Sequence, residues 1–343
     1  MSRFILVACV LVAFILLAAF HLPAQQAEVV YVEGTADIRE SGGRTFEANF
    51  GDGLYSGDSV VTGYDGRVEL EQADESVIQV APDTVFSVRE VGESGRPNTV
   101  YATEVGSAFF RFRTLVSREP RVVTPSSTAG VRGTAFTVFA GVDGSALYIV
   151  EEGRVDVSAA GRTVELGPGE GVEVRVGSEP GETFEVQRGS IDYSQWNADR
   201  LDAMRADPVG AIEGVARRMD EFVAEIGAIV PEYEANRQRL DRERETLERL
   251  EEEDGRDARS QYYRDTVFPL EVETSYQFLN IRYFALSALS LRRYVMTGIY
   301  IRVVPAWRTV LTDQEYRTFL TVYGRAAEKF EEEVVPYLVD ADF

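Results

Sequence analysis

The sequence predicts an all-β domain of short strands, either a β-sandwich or a β-roll, followed by an all-α helical bundle. Between residues 29 and 187, short β-branched and apolar runs alternate with glycine turns, as is typical of such β folds. From residue 191 onward, apolar residues recur every three or four positions, which is the spacing of helices that bury one face. A length of 343 residues and an apolar content of 45% are sufficient for two packed cores.

The N-terminal segment, residues 1–27, has the pattern of a secretory signal peptide. Arg3 precedes an apolar run from Phe4 to Phe20, and small residues follow at Ala24 and Ala27. If the segment is not cleaved, the same run is an N-terminal membrane anchor at the short end of what spans a bilayer. Both interpretations place the rest of the chain outside the cytoplasm, in the periplasm or cell envelope, because Arg3 stays inside. We therefore expect a β domain at residues 28–190 and a helical bundle domain at residues 191–343.

The composition excludes several classes of function. The single cysteine, Cys9, and the single histidine, His21, both lie in the N-terminal segment. The remainder therefore has no ligands for a zinc site of Cys or His type, no disulfide, no Cys nucleophile and no His base, and we expect no cofactor and no bound metal. A formal net charge of −22 disfavours nucleic-acid binding, and we expect contact with a membrane only through the N-terminal apolar segment.

The β domain contains a weak internal repeat. The pattern of residues 33–38 followed by 44–47 recurs as residues 152–157 followed by 162–165. Two copies are too few for a solenoid, which needs at least three repeats of fixed period. We expect two similar hairpins within one domain.

The helical part divides into three predicted regions. The first begins at Pro208, a residue suited to a first helical turn, and ends near Leu250. The second covers about residues 256–304 and is apolar nearly all round from residue 277, so we interpret it as the buried central helix of the bundle. Its four arginines argue against a membrane span. The third region covers about residues 312–338.

Four segments in the β domain carry recognisable motifs, of which the central one, residues 124–138, reads TPSSTAGVRGTAFTV. The motif residues are Gly57, Asp58, Thr62, Gly63, Asp65, Gly66, Thr124, Pro125, Gly130, Arg132, Gly133, Thr134, Gly153, Gly169 and Glu170. In content and order along residues 29–174, these segments resemble the FecR-domain family. The glycines and aspartates suit turns at strand ends, so we predict structural roles for the motif. For Arg132, a ligand clamp remains open beside a structural role.

The resemblance implies an extracytoplasmic module and no catalytic residues. The best-known family members are implied to be signal transducers, in which a cytoplasmic domain controls a sigma factor and the FecR domain follows a membrane span. Only three residues precede the apolar run here, so we expect only the extracytoplasmic module.

The leading functional prediction is a non-enzymatic envelope protein whose FecR-like domain binds a protein or glycan partner, as scaffold or sensor. Tyrosine and arginine are enriched at binding hot spots, so Arg132, Tyr262, Tyr263 and Tyr337 are candidate contact residues. One alternative is a regulator of envelope signalling that acts through a separate membrane partner.

The second alternative is a glycan hydrolase that uses two carboxylates, since this chemistry needs no histidine. Glu271 and Glu273 are its only candidates, because they lie in the aromatic helical region.

Overall fold

The computed structural model describes residues 25–93, 96–113, 120–186, 190–253 and 255–339. Strands occupy the first part of these ranges and helices the second, which confirms the predicted order of a β-rich part followed by a helical part. The apolar run of the predicted signal or anchor lies outside the described residues. In the ranges that are described, no helix is long and apolar enough to cross a bilayer. The exact domain boundaries stay a prediction.

The β-rich part consists of short outer strands around three long ones. The strands are β1 (Ala27–Glu33), β2 (Ala36–Arg39), β3 (Thr45–Glu47), β4 (Gly53–Leu54), β5 (Ser59–Thr62), β6 (Arg67–Glu71), β7 (Val77–Val80), β8 (Val85–Glu93), β9 (Arg96–Arg111), β10 (Arg121–Val123), β11 (Thr128–Ala140), β12 (Ala146–Ala159), β13 (Arg162–Leu166), β14 (Glu170–Val174) and β15 (Phe184–Glu185).

The long strand β9 connects two arms of one continuous sheet. One arm runs β9-β7-β6-β1-β4 and the other runs β9-β8-β5-β2-β3, while β10, β11, β12, β14 and β15 continue on the remaining side. The change of partners occurs near Gly106, where φ is +103° and an added Cβ would lie 2.5 Å from Thr84 Cα. Only glycine tolerates that approach. The expectation of a β-sandwich or a β-roll is not confirmed by this branched pairing and stays a prediction.

The core of the β part is built from alternating side chains on the inner face of these strands. Phe86, Phe110 and Phe136 are fully buried, and the rings of Phe110 and Phe136 stack with centroids 5.1 Å apart. Burial of such rings contributes roughly 1.5–3 kcal/mol each, so this cluster is a major source of stability. Alternation of buried and exposed positions also explains why the strands could be recognised from sequence.

The expected pair of hairpins is present as two antiparallel strand pairs. Strand β2 pairs with β3, and the second half of β12 pairs with β13 from Val155 to Ala159. The repeated glycines, Gly34 and Gly153, both have positive φ, at +65° and +78°. The repeat therefore reflects equivalent local backbone geometry within the β-rich part.

The helical part contains, in its described residues, three long helices and several shorter ones. They are α1 (Tyr193–Ala206), α2 (Pro208–Glu253), α3 (Arg256–Tyr262), a π-helix (Tyr263–Val267), α4 (Phe268–Ser290), a second π-helix (Leu291–Met296), α5 (Thr297–Val303), a 3-10 turn (Val304–Ala306), α6 (Trp307–Val310), α7 (Asp313–Glu333) and α8 (Pro336–Val339). Thr312 begins α7 with a capping box in which its side chain and that of Glu315 bond to each other's backbone N–H.

Helix α4 has a different environment from the one expected of a bundle's central helix. It packs against α2 on one side and against strand β8 on the other. Tyr283 of α4 is buried among Val91, Val100 and Val123 of the β part. The apolar circumference of α4 therefore reflects a position between the sheet and the helices. The periodicity of the sequence alone cannot distinguish this position from the interior of a helical bundle.

Candidate functional site

A buried ion pair lies between the sheet and α4. We call the contact surface of β8 and β9 with α4 the seam. Arg89 on β8 pairs with Glu104 on β9, and their side chains are 5% and 4% exposed. The Arg89 guanidinium also donates to the hydroxyls of Ser287 (2.8 Å) and Ser290 (2.6 Å) on α4. Ser87 donates to the same Glu104 carboxylate at 2.7 Å. These contacts satisfy both buried charges, and loss of either member of the ion pair would leave an unpaired buried charge, which is strongly destabilising.

A backbone contact extends this seam toward the end of β8. The Gly92 N–H donates to Asn280 Oδ1 of α4 at 2.7 Å. An added Cβ on Gly92 would lie 2.7 Å from the Tyr276 carbonyl oxygen, so a side chain there would push the helix away. The helical part is thus fitted to the sheet by close approach as well as by charge.

The central motif forms a buried turn that a second helix contacts. The Ser127 hydroxyl lies 2.9 Å from both the Thr124 hydroxyl and the Tyr148 hydroxyl. Burial raises the pKa of the Tyr148 hydroxyl above its ordinary value. Arg218 of α2 donates to the Pro125 carbonyl oxygen at 3.1 Å. The turn is therefore a docking point for α2 rather than an open pocket.

A cleft of about 410 Å³ opens beside the ion pair, between the β2–β3 hairpin and the end of α4. Gly57 lines it, and Asp58 next to Gly57 is buried. The Asp58 carboxylate accepts from the backbone N–H groups of Ser41 (3.0 Å) and Tyr55 (2.9 Å). The Gly57–Asp58 pair therefore fixes the loop that forms one wall of the cleft.

Four further motif residues, Thr62, Gly63, Asp65 and Gly66, organise the turn between β5 and β6 and its contacts. Thr62 donates to the Ala81 carbonyl oxygen at 2.7 Å and accepts from the Thr84 N–H at 2.9 Å. The Asp65 carboxylate accepts from the Thr35 N–H at 3.2 Å. An added Cβ on Gly66 would lie 2.0 Å from the Thr35 carbonyl oxygen, and Gly63 lies in the same turn.

We expect Thr62→Val to lower the free energy of unfolding by about 1–3 kcal/mol, because it leaves the buried Thr84 N–H and the partly buried Ala81 carbonyl without their partner. Thr62→Ser keeps both bonds and is expected to cost less than half as much. Urea unfolding followed by circular dichroism measures both variants, and equal losses for the two would show that the hydroxyl has no such role.

The remaining motif residues lie in two places. One is the close approach of β11 and β12, called the crossing here, and the other is the terminal turn of the motif, between β13 and β14. Gly133 has φ of +55°, and an added Cβ on Gly153 of β12 would lie 2.5 Å from the Gly133 carbonyl oxygen. Thr134 is buried beside this crossing, and Gly130 pairs with β10 and β12. In the terminal turn Gly169 has φ of +81°, and Glu170 accepts from the Gly167 N–H at 2.7 Å.

The four candidate contact residues lie on different elements: Arg132 on β11, Tyr262 on α3, Tyr263 on the first π-helix and Tyr337 on α8. Arg132 belongs to β11, and its side chain lies outside the described part of the structure. The Tyr262 and Tyr263 hydroxyls donate to Glu243 and Glu271. Tyr337 packs partly against the helical core. Their roles as contacts stay a prediction.

The two carboxylates of the hydrolase alternative lie on α4 near its N-terminal end. Glu271 is ion-paired with Arg244 at 2.9 Å and accepts from Tyr263 at 3.0 Å. Glu273 lies two positions further along the same helix. Within the described ranges, no group of three or more His, Cys, Asp or Glu residues could hold a metal ion.

Comparison with known proteins supports the resemblance over a segment of the β part. Residues 58–156 match the family model described as FecR protein, which confirms the resemblance over this segment. No curated protein matches the chain. The family assignment therefore rests on residues 58–156, and the helical part lies outside the match.

Some solved structures are similar to parts of the chain. One, solved at 1.65 Å and described as a "putative anti-sigma factor" from Parabacteroides distasonis, is 20% identical with a TM-score of 0.32; the alignment covers 38% of this chain and 60% of that one. A second with the same description, at 2.50 Å, is 18% identical with a TM-score of 0.32 and coverages of 47% and 73%. A "cell surface anchoring domain" is 19% identical with a TM-score of 0.18 and coverages of 18% and 82%. The chain thus spans less than two thirds of the first of these structures.

Neither the seam nor the cleft is predicted from the sequence. Arg89 and Glu104 look like solvent-facing positions of strands, because each lies among alternating apolar residues. The alternation of Ser87 and Arg89 with Phe86 and Val88 is typical of a strand with one exposed face, so this local pattern does not indicate that a helix covers the polar face.

Proposed function

We propose that this chain is a non-enzymatic regulator of cell-envelope signalling that acts outside the cytoplasm through a separate membrane partner. The observation that carries the proposal is the FecR match over residues 58–156. The location in the envelope is also part of the proposal. It is supported by the signal-like pattern of residues 1–27.

The chemistry of the motif supports a binding role without catalysis. The side chains of Asp58, Thr62, Asp65 and Glu170 each bond to backbone groups of neighbouring turns. Groups engaged in this way stabilise the loops that a partner would contact, and they are not presented to a reacting substrate.

Two measurements in cells test the proposal. A strain that lacks this protein is expected to change the transcript levels of a limited gene set, and the wild-type chain is expected to restore them. Crosslinking with a C-terminally tagged full-length chain is expected to capture one membrane protein reproducibly. An unchanged transcriptome would contradict regulation, whatever the crosslinking captures.

A second candidate, an envelope scaffold that binds a protein or a glycan, is favoured by exposed rings on the β part. Phe50 is 76% exposed, and Tyr64, in the turn of Gly63 and Gly66, is 82% exposed. Capture of wall glycan that is lost in Phe50→Ala and Tyr64→Ala, with normal transcripts, would support this candidate. Release of glycan fragments that is lost in Glu271→Gln and Glu273→Gln would instead support the hydrolase alternative.

A further inference from the structure

The floor of the cleft is one row of side chains that crosses four strands. Thr45 of β3 lies opposite Arg39 of β2, Arg39 opposite Ser59 of β5, and Ser59 opposite Ser87 of β8. Residues in such a row project from the same face of the sheet. All four line the cleft, so its floor is polar and runs outward from the seam to β3.

The opposite wall comes from the end of α4 and the π-helix that follows it. Leu286 and Leu289 supply apolar surface, and Arg293 and Tyr294 supply polar groups. The Arg293 guanidinium lies 5.5 Å from the centroid of the Tyr294 ring, a cation–π contact that orients it. π-Helical turns often occur at functional sites because the extra residue redirects the side chains beside it.

The cleft is locally basic although the chain as a whole has a net charge of −22. Three arginines line it against two glutamates, Glu40 and Glu104, and both glutamates are already ion-paired, with Arg44 and Arg89. Neither Arg39 nor Arg293 has an ion-pair partner in the ranges that the structure describes. Asp37 and Glu47 lie two positions further along the same face of β2 and β3 and do not line the cleft. The charge of the cleft lining is therefore complementary to an anion, and salt screens repulsion from acids more than about 8 Å away.

Strand β3 offers backbone groups at the outer end of the same row. Within the described residues it pairs with β2 and with no other strand. Phe46 packs toward the β core, so Thr45 faces the cleft. A strand added to β3 would continue the row, and its side chain opposite Thr45 would lie one strand beyond Thr45 and two strands from Arg39, roughly 9–10 Å, a gap that long Glu and Arg side chains can bridge over the short Thr45 side chain.

We propose that this cleft binds an extended, acidic segment of a partner protein, which adds to the edge of β3 and places a carboxylate between Arg39 and Arg293. Arginine suits this role because its planar guanidinium bonds a carboxylate in two-pronged geometry. The proposal rests on the proposed function in that it names the chemistry of the regulator's partner.

The test uses a fluorescein-labelled ten-residue peptide of alternating Glu and Val, measured by fluorescence anisotropy with the chain from residue 25 to 343. Binding is expected to weaken at least tenfold in Arg39→Gln and in Arg293→Gln. Arg67→Gln, the same charge change on β6, is expected to bind like the wild type. Hydrogen exchange at residues 45–47 is expected to slow when the peptide is present, because backbone pairing protects amides.

Four outcomes would overturn the proposal: no binding, equal binding of a Gln–Val peptide, full binding by both arginine variants, or binding to a Glu peptide in which alternate residues are proline. Binding of the proline-containing peptide would mean that the peptide does not pair with β3 as a strand, because proline has no backbone N–H to donate. The transcript measurement does not involve the peptide. A normal transcript response without peptide binding therefore overturns the cleft proposal alone, while peptide binding with an unchanged transcriptome overturns only the regulatory function.

Discussion

Replacing Glu104 with glutamine is expected to lower the free energy of unfolding by about 3–5 kcal/mol, the largest effect of any polar substitution considered. The change leaves the Arg89 charge buried against α4 without a counter-charge, and only the hydroxyls of Ser287 and Ser290 remain as its partners on α4. Guanidinium chloride unfolding of the chain from residue 25 measures the loss.

A matched control separates burial from charge. Glu165 pairs with Arg154 at 3.5 Å, but both side chains are more than half exposed, and Glu165→Gln is expected to cost less than about 1 kcal/mol. The double substitution Arg89→Met with Glu104→Leu is expected to cost less than Glu104→Gln alone, because it removes both charges. A double variant less stable than the single one would contradict this account of the seam.

Tyr283→Ala is expected to lower the free energy of unfolding by about 3–5 kcal/mol, the usual cost of deleting a large buried aromatic side chain. The ring of Tyr283 is buried in a cluster with Val91, Val100, Ala102 and Val123, so the deletion opens a cavity between the helix and the sheet. The same denaturant unfolding experiment measures it.

Two comparisons sharpen this prediction. Tyr283→Phe keeps the ring and is expected to retain most of the stability. Tyr316→Ala removes a ring that stacks on Trp307 within the helical part, away from the sheet, and reports the cost of an aromatic contact that does not cross the seam. If Tyr283→Ala cost no more than Tyr283→Phe, the ring would contribute nothing to holding the two parts together.

The order of β part and helical part could be predicted from sequence because the two periodicities differ. Strands such as β5 and β6 alternate buried and exposed residues, and α7 places Phe319, Val322, Ala326 and Phe330 on one face. The motif glycines could also be predicted as turn residues, since positions such as Gly57 adopt positive φ. These are local properties of the chain.

The seam and the cleft could not be predicted, because they depend on pairing between distant residues. Arg89 and Ser287 are 198 positions apart, and no local pattern indicates that they meet. The row Thr45–Arg39–Ser59–Ser87 likewise exists only through the register of four strands. The apolar circumference of α4 was the one available signal, and it fits a bundle interior equally well.

We expect the FecR-like β part and the helices to form one cooperative unit whose shared seam builds the proposed binding cleft. Pulse-labelling hydrogen exchange across a guanidinium chloride series tests it most directly, with peptides from β8, β9 and α4 followed in the same samples. The account predicts that all three lose protection at one denaturant concentration. Loss of protection in α4 at a clearly lower concentration, while β8 and β9 stay protected, would contradict it.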